Sequence, residues 1–232
     1  MPPSYQRARS PDQKAERRAL ILAAAWRLLE EVADSRELSL NELARRVGMA
    51  KSNLYRYFES REAVLLALLA DATERWAGEI VAALATLDPT LPMRTRLTAS
   101  LRLVASTAAA RPRLCHLMSV LPSVLEHNAS LDTVRDFKLE SIALLGRLCA
   151  ALHGVVPELS PEAHQELLHH AFAYIVGAWP LAHPSPVTEE VMADPALAPF
   201  RHDFEADLGR VLELMALGLL ATAGSSGVER PA

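Results

Sequence analysis

Hydrophobic residues recur every three or four positions along most of the chain, which is the spacing of one buried face of an α-helix. The first such segment runs from about Gln13 to Ala33. Its apolar positions are Leu20, Ile21, Ala24, Ala25, Leu28, Leu29 and Val32. No internal repeat and no pair of strand-like segments interrupts the pattern, so the sequence predicts an all-α fold.

Two short helices joined by a tight turn are predicted next, within about residues 39–58. Ser39 and Glu42 have the S-x-x-E spacing of a capping box, in which the two side chains satisfy free backbone N–H groups at a helix start. Gly48 is placed to end that helix, because glycine accepts the positive φ that often follows a last turn. Together with the first helix, this arrangement predicts a helix-turn-helix unit.

The third predicted helix, at residues 51–58, combines a narrow buried face with an unusual polar surface. Leu54 and Phe58 point inward as an i, i+4 pair. Ser52 and Arg56 form a second i, i+4 pair on the opposite side. Because arginine can donate two hydrogen bonds to guanine in the major groove, we expect this outer pair to reach base edges of duplex DNA.

The residues around that pair fit the same interpretation. Asparagine pairs with adenine, whereas lysine, arginine and tyrosine hydroxyls hold phosphates and fix the docking register. The predicted base contacts are therefore Ser52, Arg56 and, as a third candidate, Asn53. The predicted phosphate contacts are Lys51, Tyr55, Tyr57 and Arg61. The alternative is a solvated helix face, but the cap, the turn and the exposed tyrosines together favour DNA binding.

Further helices are predicted over most of the remaining chain. Ser60 caps a long fourth helix, from Arg61 to about Leu87. The other predicted helices lie near residues 93–110, 112–126, 131–152, 161–179 and 201–221. Between the last two, a segment with five prolines predicts an irregular loop or linker with one short turn.

These elements divide the chain into four predicted regions. They are a flexible basic arm at residues 1–12, a DNA-binding domain at 13–75, a larger helical domain at 76–222, and a disordered tail at 223–232.

Composition and charge sharpen this division. The 232 residues are 50% hydrophobic and carry a net charge of −4. Residues 1–61 hold 12 basic and 8 acidic residues and so carry +4, whereas the remainder holds 12 basic and 20 acidic residues and carries −8. This asymmetry indicates a basic module that meets phosphates and an acidic body that does not.

Several other classes of protein are not favoured. Cys115 and Cys149 lie far apart and match no metal or disulfide spacing. No signal peptide and no membrane-spanning stretch is predicted, so we expect a reduced, cytoplasmic protein. The helical histidines His164, His169 and His170 lack the i, i+4 spacing of a metal pair, and no catalytic motif is present. We therefore expect no metal, no cofactor and no catalytic residue.

The segments "RRALILAAAWRLLEE" and "LSLNELARRVGMAKSNLYRYFESREAVLLALL" resemble the DNA-binding domain of the TetR (tetracycline-repressor-like) family of bacterial regulators. The resemblance covers about residues 15–75. It implies a homodimeric, ligand-controlled transcription factor, usually a repressor, that places two recognition helices in successive major grooves of a near-palindromic operator. Lys51 to Tyr57 would form that helix, with Tyr55, Tyr57 and Arg61 at phosphates. The chain departs from the family pattern at Ala50, where members often have Ser or Thr, and at Arg61, where Lys is common.

The resemblance also implies that the larger domain, 76–222, dimerises and binds an effector. The last two long helices would form a four-helix bundle with their copies, through Leu167, Ala171, Tyr174, Ile175, Leu208, Leu212, Met215 and Leu219. An intramolecular core is the alternative for these apolar faces. An effector pocket is expected among residues 93–179, lined by Cys115, Met118, Leu121, Phe137, Leu144, Phe172 and Trp179. An apolar or amphipathic effector is expected, because no arginine pair or glycine-rich loop indicates a phosphate site.

The sequence therefore predicts a DNA-binding regulator, most simply a repressor that leaves its operator when it binds a small molecule. Two alternatives remain. One is a helical interaction partner that has lost DNA binding, and the other is a small-molecule carrier or enzyme with a vestigial helix-turn-helix module.

Overall fold

The structure, a computed structural model, describes residues 11–32 and 34–225. Every regular element within those residues is helical, which confirms the predicted all-α fold. The α-helices are α1 (Pro11–Glu31), α2 (Leu40–Arg46), α3 (Lys51–Leu54), α4 (Arg61–Leu84), α5 (Met93–Ala109), α6 (Pro112–Val120), α7 (Leu131–Val155), α8 (Pro161–Ala182), α9 (Pro186–Val191) and α10 (Phe204–Ser225).

The two predicted terminal regions fall mainly outside the described residues. Of the predicted arm at residues 1–12, only Pro11 and Asp12 are described, and they form the start of α1. Of the predicted tail at 223–232, residues 223–225 are described, and they belong to the end of α10.

The described residues form two compact units. The first lies within Met1–Leu69 and Pro122–Phe137, and the second within Ala70–Leu121 and Lys138–Ala232. In the first unit α1 packs on α2, and α2 packs on α3. Its buried side chains include Ile21, Ala25, Leu29, Leu43, Leu54 and Phe58. The sequence placed residues 122–137 in the larger domain, whereas the structure groups them with the helix-turn-helix.

The second unit is a bundle of long helices. In it α10 packs against α5 and α8, and α6 packs against α8 and α5. Arg96, which is 9% exposed, joins the start of α5 to the α7–α8 connection. Its guanidinium donates to the Leu91 carbonyl at 3.0 Å, to the Val155 carbonyl and to the Glu158 carboxylate at 2.5 Å. A buried charge is tolerated there because each side of the guanidinium has an acceptor.

Two prolines place helix ends differently from the sequence prediction. The predicted helix at 112–126 ends as an α-helix at Val120 and continues as a π-helical turn, Leu121–Leu125, because Pro122 has no amide hydrogen for the α pattern. Conversely, α8 continues past Pro180, where the sequence ended it. The extra turn is held by the His183 amide, which donates to the Trp179 carbonyl at 3.0 Å, and by stacking of the two rings at 3.6 Å.

The proline-rich connection between α8 and α10 is more regular than the sequence predicts. It contains α9 and a 3₁₀-helix, Pro195–Phe200. Ser185 and Asp194 cap these two elements by accepting backbone N–H groups. The side chain of Arg201 fastens the segment, because it donates to the carbonyls of Met192, Ala193 and Asp194.

Candidate DNA-binding surface

The turn between α2 and α3 is built by local hydrogen bonds that the sequence specifies. The Ser39 hydroxyl accepts the Glu42 N–H at 3.5 Å and so caps α2. Gly48 has a φ of +63°, in the left-handed region that glycine adopts without steric cost. The Met49 N–H then bonds to the Ala44 carbonyl at 2.9 Å, which closes the turn and directs the chain into α3.

Helix α3 is short and starts without a side-chain cap. Ala50 has extended backbone angles, and its carbonyl accepts the N–H groups of Asn53 and Leu54 at 2.9 and 3.2 Å. The absent cap agrees with the departure seen at Ala50 in the sequence. After Leu54 the chain tightens into a turn, in which Tyr57 and Phe58 both donate to the Leu54 carbonyl. The predicted helix at 51–58 is therefore one α-helical turn followed by a tighter one.

Two inward residues hold this segment, as the pattern predicts. Leu54 is 1% exposed and Phe58 is 4% exposed. The guanidinium carbon of Arg18, on α1, lies 5.0 Å from the centroid of the Phe58 ring, within the range of a cation–π contact. Residues 51–58, called the recognition segment below after their predicted role, are thus anchored by one face and leave the opposite face to solvent.

The outer face of the segment presents most of the predicted DNA-contacting side chains. Those that are exposed are Lys51, Ser52, Asn53, Tyr55 and Arg56, and Tyr57 is half-buried at the edge. Tyr55 keeps 46% of its surface exposed, with the Lys51 ammonium 5.9 Å from its ring centroid. The structure therefore brings the three base-contact candidates and three of the four phosphate candidates together on one short segment.

Arg61, the fourth phosphate candidate, lies at the first position of α4 and is partly engaged. Its guanidinium donates to the Glu62 carboxylate at 2.6 and 3.1 Å. The Ser60 hydroxyl caps the same helix by accepting the Ala63 N–H at 3.0 Å. A phosphate bound here would compete with Glu62 for the Arg61 guanidinium.

An ion-pair network that sequence reasoning missed braces α2 against α1. The Glu42 carboxylate accepts from Arg45 at 2.6 and 2.8 Å and from Arg46 at 3.0 Å. Arg46 also forms a two-pronged pair with Glu31 at 2.6 and 2.5 Å. Hydrogen bonds from Arg45 and Arg46 lower the pKa of the Glu42 carboxyl to about 2. The i, i+3 and i, i+4 spacings within α2 could have indicated the first half of this network, but the partner on α1 could not be inferred from spacing.

Most of the predicted effector-lining residues are buried in this structure. Cys115, Met118, Leu121, Leu144 and Trp179 are at most 8% exposed, Phe137 is half-buried, and Phe172 is 37% exposed. Burial raises the pKa of the Cys115 thiol to about 12, so this thiol stays protonated at neutral pH. A cavity of about 480 Å³ lies instead between α5 and α10, with Arg102, Glu205, Arg210 and Glu213 among its lining residues. None of the seven predicted residues lines it.

Most of the predicted interface residues lie inside the second unit. Leu167, Ala171, Ile175, Leu208 and Leu212 are at most 4% exposed, and Tyr174, Met215 and Leu219 are half-buried. The same two helices expose other apolar side chains: Phe172 on α8 at 37% and Leu214 on α10 at 52%. Five of the eight predicted interface residues therefore pack within this chain, and an interface through α8 and α10 stays a prediction.

The histidines and cysteines form no metal site among the described residues. His164 is 1% exposed, and its Nε2 lies 3.0 Å from the Val156 carbonyl oxygen, whereas His169 and His170 are exposed. No helix in the described part of the chain is long and apolar enough to cross a membrane.

Two family models match the chain and together cover nearly all the described residues. Residues 21–68 match the model for bacterial regulatory proteins of the tetR family. Residues 70–223 match the model for a tetracyclin repressor-like C-terminal domain. The boundary between the two matches falls where the structure passes from its first unit to its second.

Among curated proteins, the chain is similar to an uncharacterized HTH-type transcriptional regulator of Mycobacterium tuberculosis. The two are 35% identical over 103 residues, which cover 44% of this chain and 49% of the relative. The chain thus spans about half the length of the curated relatives it matches.

Solved structures show the same fold at low identity. A TetR transcriptional regulator from Rhodococcus sp. RHA1 superposes with a TM-score of 0.57 at 20% identity, covering 88% of this chain and 97% of that one. The fatty acid degradation regulator FadR from Bacillus halodurans superposes with a TM-score of 0.54 at 16% identity, covering 92% and 98%.

Proposed function

Because the chain belongs to the TetR family of bacterial transcriptional regulators, we propose that it is a homodimeric, cytoplasmic repressor that leaves its operator when a small molecule binds. The observation that carries the proposal is the outer face of residues 51–57. There Ser52, Asn53 and Arg56 are exposed together on a segment that Leu54 and Phe58 anchor from the inside.

Base recognition is assigned to Ser52, Asn53 and Arg56. Short polar side chains and a guanidinium at one exposed helical surface can reach donors and acceptors of base edges in a major groove. The surrounding Lys51, Tyr55, Tyr57 and Arg61 would hold phosphates and set the register. The +4 charge of residues 1–61 supports this division of roles, because it draws the basic part of an otherwise acidic chain to DNA.

Dimerisation is assigned to the outer faces of α8 and α10. Phe172 and Leu214 are exposed there, and large apolar side chains in the open favour burial against a partner. On the same helices, a side chain at Gly177 or Gly218 would begin in open space, with no described atom beyond its own stretch of helix within 4 Å. A second copy could therefore approach these helices closely at the two glycines.

The effector is assigned to the buried apolar side chains of α6, α7 and α8. Met118, Leu144 and Trp179 are packed closed in this structure, so the effector would bind a less populated, more open arrangement and stabilise it. Methionine adapts its shape readily, which suits a site that must open around an apolar or amphipathic molecule. In the dimer, that shift would change the spacing of the two recognition segments away from one DNA turn, about 34–36 Å.

The DNA-binding part is tested by selecting bound sequences from a pool of random duplexes. We expect enrichment of a near-palindrome whose half-sites are separated by about 10–10.5 base pairs. A Ser52→Ala/Arg56→Ala variant should lose the enriched sequence. Arg102→Ala is the matched control, because Arg102 is an exposed arginine of the second unit without a hydrogen bond or ion pair to another described residue. Failure of the unaltered protein to enrich any sequence would contradict the proposal.

The effector part is tested on the selected operator with small-molecule fractions of a cell extract. We expect one fraction to release the DNA and to raise the melting temperature of the free protein, as any ligand specific for the folded state does. Met118→Trp, which fills the proposed site, should abolish both effects. If Met118→Trp keeps both effects while Arg102→Ala removes them, the effector binds in the α5–α10 cavity instead.

A further inference from the structure

Glu59 occupies a distinctive place at the end of the recognition segment. It lies between Phe58, the last inward residue of that segment, and Ser60, the cap of α4. Its side chain is exposed, yet its carboxylate bonds to residues more than seventy positions further along the chain. Those partners, Ser130 and Thr133, lie at the start of α7 and belong to the same compact unit as Glu59.

The contact reproduces a capping box with one member supplied from elsewhere in the chain. The Ser130 hydroxyl accepts the Thr133 N–H at 3.3 Å, as the first half of a capping box requires. In the second half, a carboxylate at the Thr133 position would normally accept the Ser130 N–H. Here Glu59 Oε1 accepts it at 3.0 Å and also accepts the Thr133 hydroxyl at 2.9 Å.

The electrostatics favour the ionised form of Glu59. Hydrogen bonds from Ser130 and then from Thr133 lower the pKa of the Glu59 carboxyl below its ordinary value. The carboxylate also faces the N-terminal end of α7, where the helix dipole stabilises negative charge. At neutral pH the three groups therefore form a charge-assisted contact, which is stronger and more directional than a contact between neutral groups.

Backbone hydrogen bonds carry this restraint into the recognition segment. Tyr57 and Phe58, next to Glu59, both donate to the Leu54 carbonyl at 2.9 and 3.1 Å. On the other side, Ser60 is fixed by its bond to the Ala63 N–H at 3.0 Å. These bonds restrain the backbone between α3 and α4 on both sides of Glu59. Holding the Glu59 side chain therefore also restrains the end of the recognition segment.

We propose that Glu59 is a positioning residue for operator binding, which completes the cap of α7 and thereby holds the recognition segment in its DNA-binding orientation. The inference rests on the proposed function for its consequence in DNA binding. Glu59 itself touches no base in this assignment. It acts through the backbone of the neighbouring Tyr57 and Phe58, which is hydrogen-bonded to the Leu54 carbonyl.

The competing interpretation is an exposed carboxylate that merely lies close to DNA. That interpretation makes the opposite prediction, because removing a negative charge near phosphates strengthens binding. Loss of a positioning contact, in contrast, weakens operator binding. The sign of the change in operator affinity therefore separates the two interpretations.

The first experiment measures operator affinity of the full-length protein by fluorescence anisotropy. Glu59→Gln is expected to weaken binding about tenfold, because it replaces a charge-assisted contact with a weaker neutral one. Thr133→Val, which alters no charge, should weaken it in the same direction, and the double variant should lose less than the sum of the two because they remove one contact. Glu37→Gln is the matched control: Glu37 is an exposed glutamate of the same unit with no side-chain partner among the described residues.

The second experiment needs no DNA and so separates this inference from the proposed function. Amide hydrogen exchange of residues 54–58 is measured in the free protein, with circular dichroism to confirm that each variant is folded. Faster exchange in Glu59→Gln and Thr133→Val, but not in Glu37→Gln, supports the positioning role even if no operator is found. Unchanged exchange in both variants, or tighter DNA binding by Glu59→Gln, overturns it.

Discussion

At the scale of single residues, Arg56 is the side chain on which the proposed base recognition most depends. It is exposed, and no other described residue holds its guanidinium. A free guanidinium on the outer face of the recognition segment can form two hydrogen bonds to one guanine. We expect Arg56→Ala to cost about 1–3 kcal/mol at the matching base pair and to relax the preference there. Competition binding with single-base operator variants measures both effects.

The Arg56 prediction has a matched control in Arg102→Ala, which removes the same charge from the second unit. That variant should keep the base preference and change affinity little. If Arg56→Ala binds every operator variant as the unaltered protein does, Arg56 is not a base contact.

Tyr55 is assigned a phosphate contact on the same surface, and removal of its hydroxyl group tests that role. Tyr55→Phe keeps the ring that lies 5.9 Å from the Lys51 ammonium and removes only the hydroxyl. Because a phosphate contact carries no sequence information, we expect a loss of about 0.5–1.5 kcal/mol on all duplexes alike. Anisotropy titrations against operator and unrelated DNA give the comparison. A loss confined to the operator would move Tyr55 to the base-contact group.

At the scale of elements, the sequence predicted α2, the turn and α3 closely because their signals are local. Ser39 caps α2 and Gly48 has positive φ, as the pattern of polar and glycine residues indicated. The cap and the turn both depend on side chains within a few residues, so the neighbouring sequence is sufficient to predict them.

The elements that the sequence misplaced depend on contacts between distant residues. The end of α8 lies beyond Pro180 because His183 and Trp179 stack and bond across the proline. Likewise, the grouping of residues 122–137 with the helix-turn-helix depends on partners such as Glu59, far away in sequence. No periodicity in either segment encodes such a partner.

The brace between α1 and α2 gives a prediction that depends on pH. The pKa of Glu42 falls from 4.5 to about 2 on folding, so its ion pairs stabilise the fold above pH 4.5 and are lost as pH falls toward 2. Glu42→Gln lacks this contribution at every pH. We therefore expect the gap in melting temperature between the unaltered protein and Glu42→Gln to be widest above pH 4.5 and to close near pH 2.

Thermal melts followed by circular dichroism across that range measure the gap. Glu37→Gln serves as the control, since Glu37 belongs to no ion pair among the described residues and its gap should stay small throughout. A Glu42→Gln gap that persists at the acid end would mean that the brace contributes through packing and not through charge.

At the scale of the whole molecule, the proposed regulation requires the two units of the chain to be linked. The chain passes between the units within α4, within the π-helical turn and within α7. In the proposed function, these are the covalent elements through which effector binding would influence the DNA-binding unit. Operator binding also needs two copies of that unit, because a near-palindromic site presents two half-sites. In the proposed function, dimerisation through the second unit is therefore part of the DNA-binding mechanism and not separate from it.

Leu214 tests that dependence directly. It is 52% exposed on α10, and an aspartate there would leave a charge unpaired inside the proposed dimer interface. We expect Leu214→Asp to be a folded monomer by analytical ultracentrifugation and to bind the operator about 100-fold more weakly, because each half-site must then be bound separately. Leu139→Asp is the control, since Leu139 is 56% exposed on α7, outside the two interface helices. If Leu214→Asp remains a dimer with full affinity, the copies meet through another surface, and a dimeric Leu214→Asp with weakened binding would place the defect in DNA contact instead.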